Sequence, residues 1–271
     1  MTLVSTDWLN KNLNKVKIID ASWHLVKNRN GIEEYNKEHI ENAIFFNLDK
    51  NSNQRKDLSH SHFLPTIRNH EKSISEIGIL NNDRIIIYCY SDLISSCRAW
   101  FQFLYFGHNP KLVSVLNGGM KKWKLEGRKV TNLKTKIIPS KYKAKENFKM
   151  TKAKSEIDEN IKNKKFTVLD ARSKNRFLGL EPEPRPGIKS GSIKESKSLP
   201  LSELVNKKDN TFLDKKKLKN IFNLKGINTN KIVMSCGSSV SASSLALAYS
   251  IINDDYMPKI YIGSWTEYGK K

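Results

Sequence analysis

A chain of 271 residues with 38% hydrophobic residues buries a sizeable core, as one large domain or two of ordinary size, and two are favoured here. Three cysteines, Cys89, Cys97 and Cys236, are too few and too scattered for a disulfide framework, and no CxxC pair or Cys/His cluster has zinc-ligand spacing, so no metal site is expected. The formal net charge of +21 raises nucleic acid or a membrane surface as partners.

That charge is mostly lysine spread along the whole chain beside abundant asparagine and isoleucine, as a genome rich in A and T produces without selection for binding. The densest basic segment, "LKTKIIPSKYKAKENFKMTKAK" (133–154), carries no Gly-rich or aromatic-interleaved motif and reads as a solvated linker; a nucleic-acid partner is not expected. The start, "MTLVSTDWLN", has neither a basic n-region nor an apolar h-region, and about 18 consecutive apolar residues occur nowhere. With free thiols implying a reducing compartment, the expectation is a cytoplasmic protein without a membrane span.

In chain order, "VKIIDASW" (16–23) is a short apolar strand ending in Asp20, and "EHIENAIFFNL" (38–48) is a turn followed by an extended run. "DRIIIYC" (83–89) is an apolar strand ending at Cys89, "SSCRAWFQFLYFG" (95–107) has a helical pattern, and "LVSVLNGGMKKW" (112–123) is a strand closed by a glycine turn. Past the basic segment the same plan returns. "FTVLDARS" (166–173), "SGSIKESKSLPL" (190–201), "NKIVMSC" (230–236), "SASSLALAYSII" (241–252) and "PKIYIGSWTEYG" (258–269) answer the first set one for one. Asp20 and Asp170 are 150 residues apart, and Cys89 and Cys236 are 147 apart, the signature of a duplication.

Continuously apolar strands alternating with helices predict an α/β fold with a mainly parallel sheet flanked by helices in each half. The expected domains are 1–133 and 155–271, with 134–154 as the basic linker. Ligands of such sheets sit beyond the carboxyl ends of the strands, where Cys89 and Cys236 both fall.

The loop "CGSSVS" (236–241) runs from a buried strand into a helix N-terminus, a geometry that turns successive backbone N–H groups toward an anion. Gly237 imposes no Cβ and the serines supply small donors, so a thiolate at Cys236 is favoured and the residue becomes a nucleophile. Cysteine phosphatases use a related loop, but they need an arginine six positions after the nucleophile. Here those positions are Ala242 and Ser95.

The pieces "DASW" (20–23), "HIENAIFFNLD" (39–49), "HFLP" (62–65), "DARSKNRF" (170–177), "EPEPRPG" (181–187), "CGSSVSA" (236–242) and "GSW" (263–265) span nearly the whole chain. Together they make the sequence resemble the tandem-domain sulfurtransferases of the rhodanese superfamily, closest to the branch that uses 3-mercaptopyruvate. The resemblance implies two tandem rhodanese-like domains, the first non-catalytic and the second catalytic, acting without a metal or organic cofactor. It implies that Cys236 carries a persulfide, that Arg176 and Arg185 hold the carboxylate and ketone of a small anionic sulfur donor, and that Ser238, His62 and Asp49 handle protons. Gly237, Ser239, Val240 and Ser241 complete the substrate cradle. "SHSHFLP" offers His60 beside His62.

Basic residues directly after the cysteine mark the thiosulfate-preferring branch; Gly237 and Ser238 stand there instead. Thiosulfate stays open as the donor, as does a persulfide relay or basic binding module serving a protein or tRNA-modifying partner. A thiol or a thioredoxin-like protein is the implied acceptor. The chain departs from the family pattern at Ser239 (usually glycine), Ser192 (usually histidine), Ile262 (commonly aspartate) and Cys89 (usually aspartate in the inactive domain).

Overall fold

The computed structural model describes residues 2–271 apart from 26, 27, 54, 56, 59, 60, 93 and 228. It forms two compact units. The first comprises Met1–Asn51, Pro65–Asn147 and Asn206–Phe212; the second comprises Ser52–Leu64, Phe148–Val205 and Leu213–Lys271. Two short segments therefore pack with the unit encoded by the other half of the sequence. One of them, 52–64, carries His62 into the second unit.

The first unit is built on β1 (Leu3–Val4), β2 (Lys17–Asp20), β3 (Ala43–Phe45), β4 (Ile85–Tyr88) and β5 (Val113–Leu116), in the order β1-β5-β4-β2-β3. All its pairings are parallel. Its helices are α1 (Thr6–Asn10), α2 (Gly31–Lys37), α3 (Ile67–Glu76), α4 (Ser96–Tyr105) and α5 (Gly119–Leu125). The Ile85–Ile87 run is fully buried because helices cover both faces of a parallel sheet, so neither side of the strand meets water.

The second unit repeats the plan with β6 (Thr151–Lys152), β7 (Thr167–Asp170), β8 (Lys197–Ser198), β9 (Ile232–Ser235) and β10 (Ile260–Tyr261), all parallel, in the equivalent order β6-β10-β9-β7-β8. Its helices are α6 (Lys154–Asn163), α7 (Lys174–Leu178), α8 (Lys215–Leu224), α9 (Val240–Ile252) and α10 (Ser264–Tyr268). Residues 240–249 of α9 are buried on every side. That demands small residues, and Ser241, Ala242, Ser243, Ser244, Ala246 and Ala248 supply them. In α8, by contrast, Asp214 accepts from the Lys217 N–H as N-cap, and only Leu218 and Phe222, one turn apart, face inward.

The basic segment 134–154 is not a solvated tether along its length. Ser140 N–H donates to Ser75 O and Tyr142 N–H to Ser75 Oγ, while the Tyr142 ring is buried beside His70 and His108 in the first unit. Its last part forms β6, which pairs with β10 at the edge of the second sheet. The lysines face solvent while the backbone and Tyr142 do the packing, so composition alone reads the segment as loose.

The two units differ at equivalent carboxylates. Asp170 at the end of β7 is neutralised by Arg172, with Nη2 2.7 Å from Oδ2. At the end of β2 the equivalent Asp20 is equally buried, but Ser22 stands where Arg172 would be. The Ser22 N–H donates to Asp20 Oδ1 at 2.9 Å and its hydroxyl at 2.5 Å, and the Tyr88 hydroxyl also bonds the carboxylate. Burial outweighs these neutral donors and raises Asp20 to a pKa of about 6.

A carboxyl group whose pKa is raised on folding favours the native state most below its unfolded pKa, and this contribution is lost as pH rises through about 6. Asp20→Asn keeps the acceptor oxygen and removes the charge. Relative to wild type, its stability is expected to rise between pH 4 and pH 8 by roughly 2–3 kcal/mol, at about 1.4 kcal/mol per pKa unit. Urea unfolding at both pH values checks this; an unchanged difference between the two proteins contradicts it.

Candidate active site

The loop 236–239 leaves β9 and enters α9. Cys236 is only 2% exposed, and Val240 and Ser241 form the first, buried turn of the helix. Ser239 sits in the left-handed region at φ +63°, where glycine is favoured. Its hydroxyl does not cap α9 but donates to the backbone oxygen of His62 at 3.3 Å. The serine at the usual glycine position is thus tolerated and tethers the segment bearing His62.

Behind the loop, residues 264–266 hold its backbone. Trp265 N–H donates to Cys236 O at 2.9 Å, and Gly237 O accepts from Thr266 N–H at 2.9 Å and from Thr266 Oγ1 at 2.7 Å. Ser264 Oγ accepts from Cys236 N–H and Ser239 N–H, both at 3.2 Å, and donates to Tyr261 O.

The two arginines converge on this loop. A Cβ at Gly237 would lie 2.9 Å from Arg185 Nη1 and 3.4 Å from Arg176 Nη2, so any larger residue would displace the guanidiniums. Arg185, 4% exposed, donates through Nη2 to Ser238 Oγ at 2.8 Å. Burial lowers its pKa, the neighbouring Cys236 raises it and Arg176 lowers it further.

His62 is 1% exposed, with Nδ1 2.9 Å from the same Ser238 Oγ. A guanidinium only donates, so Ser238 Oγ accepts from Arg185; the direction of its bond to His62 Nδ1 is set by the imidazole tautomer, since a hydroxyl can accept twice or accept once and donate once. The segment bearing His62 is fastened within the second unit by Arg55 to Glu267 at 3.0 Å and by Lys270 to Asp57 at 2.9 Å.

Arg176 is committed in a way the sequence does not announce. Its Nε and Nη2 bind the two oxygens of Glu183 at 3.2 and 2.6 Å, and Glu183 Oε1 also accepts from Arg172 Nη1 at 2.7 Å. A chain of charges, Asp170, Arg172, Glu183, Arg176, thus backs the loop, with Arg172 stacked over Trp265 at 4.8 Å. Glu183 occupies the Nε edge of Arg176, leaving its other N–H groups for a ligand. Sequence reading missed Arg172, Glu183, Ser264 and Thr266. The one visible signal was that "DARS" places an arginine where the first half has the serine of "DASW".

Asp49 belongs to the first unit, where its carboxylate accepts from the Trp23 indole at 3.1 Å and borders a polar cavity of about 260 Å³ that also includes His24 and Arg29. His60 lies outside the described residues.

The rhodanese-like domain family matches this chain twice, over residues 5–126 and 153–271. The chain belongs to the rhodanese family. It is 35% identical to thiosulfate/3-mercaptopyruvate sulfurtransferase 1, mitochondrial, of Arabidopsis thaliana, over 98% of this chain and 75% of that protein. It is 31% identical to human 3-mercaptopyruvate sulfurtransferase over 98% and 91% of the two chains. SseA from Escherichia coli superposes with a TM-score of 0.87 at 26% identity, covering 98% of this chain and 99% of that one.

Within this family pair of domains, the first carries its own cysteine at the matching strand end. Cys89 is buried, its thiol donates toward Ser96 Oγ at 3.4 Å, and burial pushes its pKa up. Bulky Tyr90 follows it where Gly237 follows Cys236. Cys89 is therefore expected to alkylate more slowly than Cys236 at neutral pH, and Cys89→Ser to keep most sulfur-transfer activity. Peptide mapping after donor treatment checks this; sulfur on Cys89 contradicts it.

Proposed function

We propose that the second unit transfers sulfane sulfur from 3-mercaptopyruvate to a thiol acceptor, or to cyanide in an assay, through a persulfide on Cys236. The observation that carries the reading is the convergence of Arg185, Arg176 and the Ser238–His62 pair on the loop of one buried cysteine. The Cys236 thiolate attacks the donor sulfur, forming an S–S bond, while the carbon–sulfur bond breaks and its electron pair passes to carbon as the pyruvate enolate. The proton of the donor thiol ends on that carbon, giving pyruvate and the persulfide anion. An acceptor thiolate then attacks the outer sulfur and restores the Cys236 thiolate.

Each neighbour has a part in this. Arg185 and the remaining N–H groups of Arg176 stabilise the carboxylate and the developing enolate oxygen. Ser238 passes the proton, with His62 behind it as the exchanging base and Arg185 favouring charge on the hydroxyl. The helix start at Val240 and Ser241 adds backbone donors for the anionic sulfur.

Thiosulfate is the second donor, favoured by the name of the Arabidopsis relative, which carries both substrates. The acceptor is a small thiol or a thioredoxin-like protein. A cytoplasmic setting suits three free, buried cysteines; among the described residues no helix is long and apolar enough to cross a membrane.

Cys236→Ser is nearly isosteric and is expected to abolish turnover without loss of fold; turnover in that variant sinks the assignment. Arg185→Lys is expected to lower kcat/KM for mercaptopyruvate by roughly tenfold or more, the scale of a charge-assisted hydrogen bond, and to lower it less for thiosulfate, which has no planar carboxylate. Steady-state kinetics with both donors decides, and equal losses contradict the assigned donor. A chain with negligible kcat/KM for either small donor would instead be a relay.

A further inference from the structure

The four residues of the loop 236–239 give the cradle its shape only if their carbonyl groups point away from it. A trans peptide holds C=O and N–H antiparallel, so each carbonyl drawn toward α10 turns the following N–H the other way. Trp265 N–H draws Cys236 O and thereby orients the Gly237 amide; Thr266 draws Gly237 O and thereby orients the Ser238 amide. Neither the Gly237 nor the Ser238 N–H donates to any group among the described residues. Cys236 N–H and Ser239 N–H, by contrast, are taken up by Ser264 Oγ.

Thr266 is distinctive because it bonds Gly237 O twice, through its amide at 2.9 Å and its hydroxyl at 2.7 Å. Both lone pairs of that carbonyl are filled. Hydrogen bonds to a carbonyl polarise the whole peptide and strengthen its N–H as a donor. The residue is 2% exposed, so its hydroxyl works in a medium of low dielectric where such polarisation is poorly screened. A hydroxyl is not needed here for packing; valine has the same shape and would fill the space.

We propose that Thr266 is a positioning residue for sulfur uptake at Cys236, its hydroxyl fixing and polarising the Gly237–Ser238 peptide so that the Ser238 N–H stabilises negative charge on the cysteine sulfur. This rests on the sulfur-transfer reading of the same site. Thr266 does not touch the donor. It acts through one peptide group.

The test compares full-length Thr266→Val, which keeps shape and removes the hydroxyl, with Thr266→Ser, which keeps the hydroxyl. Two quantities are read: the pH dependence of iodoacetamide alkylation at Cys236, resolved by peptide mapping, and the single-turnover rate of sulfur uptake from 3-mercaptopyruvate. In Thr266→Val the alkylation profile is expected to move to higher pH relative to wild type and sulfur uptake to fall about two- to tenfold, the range for loss of one hydrogen bond. Thr266→Ser is expected to restore both. An unmoved profile in Thr266→Val, or equal impairment in the two variants, overturns the proposal, the second outcome pointing to packing alone. If wild type itself takes up no sulfur, the sulfur-transfer reading fails, and the alkylation profiles still report whether the hydroxyl acts on the thiol.

Discussion

Charge balance in a buried site is the constraint on which the second unit depends. Arg172, Arg176 and Arg185 bring three guanidiniums to one region, and Asp170 and Glu183 bring two carboxylates. Buried ions are costly unless each meets an opposite charge or hydrogen bonds that take the place of water. Asp170 and Arg172 neutralise one another, Glu183 is shared between Arg172 and Arg176, and Arg185 brings its charge beside Cys236. In the proposed reaction that guanidinium faces the anionic donor and the anionic sulfur it leaves on Cys236.

The duplication shows what the balance adds, since both units share strand order and a cysteine at the equivalent strand end. In the first unit the partner arginine of the buried aspartate is replaced by Ser22, which bonds Asp20 and also accepts from the Tyr90 N–H of the Cys89 loop. Among the described residues no guanidinium is anchored at that carboxylate, and burial pushes Asp20 toward its neutral form. The fold is retained while the linked arginines and carboxylates behind the cysteine loop are not.

Strands and helices were legible wherever the pattern was long and apolar: Ile85–Tyr88, Ile232–Ser235 and the small-residue run of α9 announce buried elements. The two-residue edge strands β1 and β6 carry no period to read, and β6 lay hidden in a lysine-rich stretch whose packing depends on its backbone. At the site, the contiguous loop 236–241 and the "EPEPRPG" arginine were visible because neighbours in sequence are neighbours in space. Glu183 was quoted with that motif but its task was not, because sharing a carboxylate between Arg172 and Arg176 is a three-dimensional fact. Thr266 was invisible for the same reason: its acceptor, Gly237, lies 29 residues away.

The central claim is that Cys236 alone receives sulfur as pyruvate forms. A single-turnover reaction of the full-length protein with 3-mercaptopyruvate, quenched and analysed by peptide mass spectrometry alongside pyruvate release, tests it directly. The account predicts one added sulfur on the Cys236 peptide for each pyruvate formed, removed again by cyanide. Pyruvate formed without sulfur on Cys236, or sulfur accumulating at Cys89 or Cys97 instead, would contradict it.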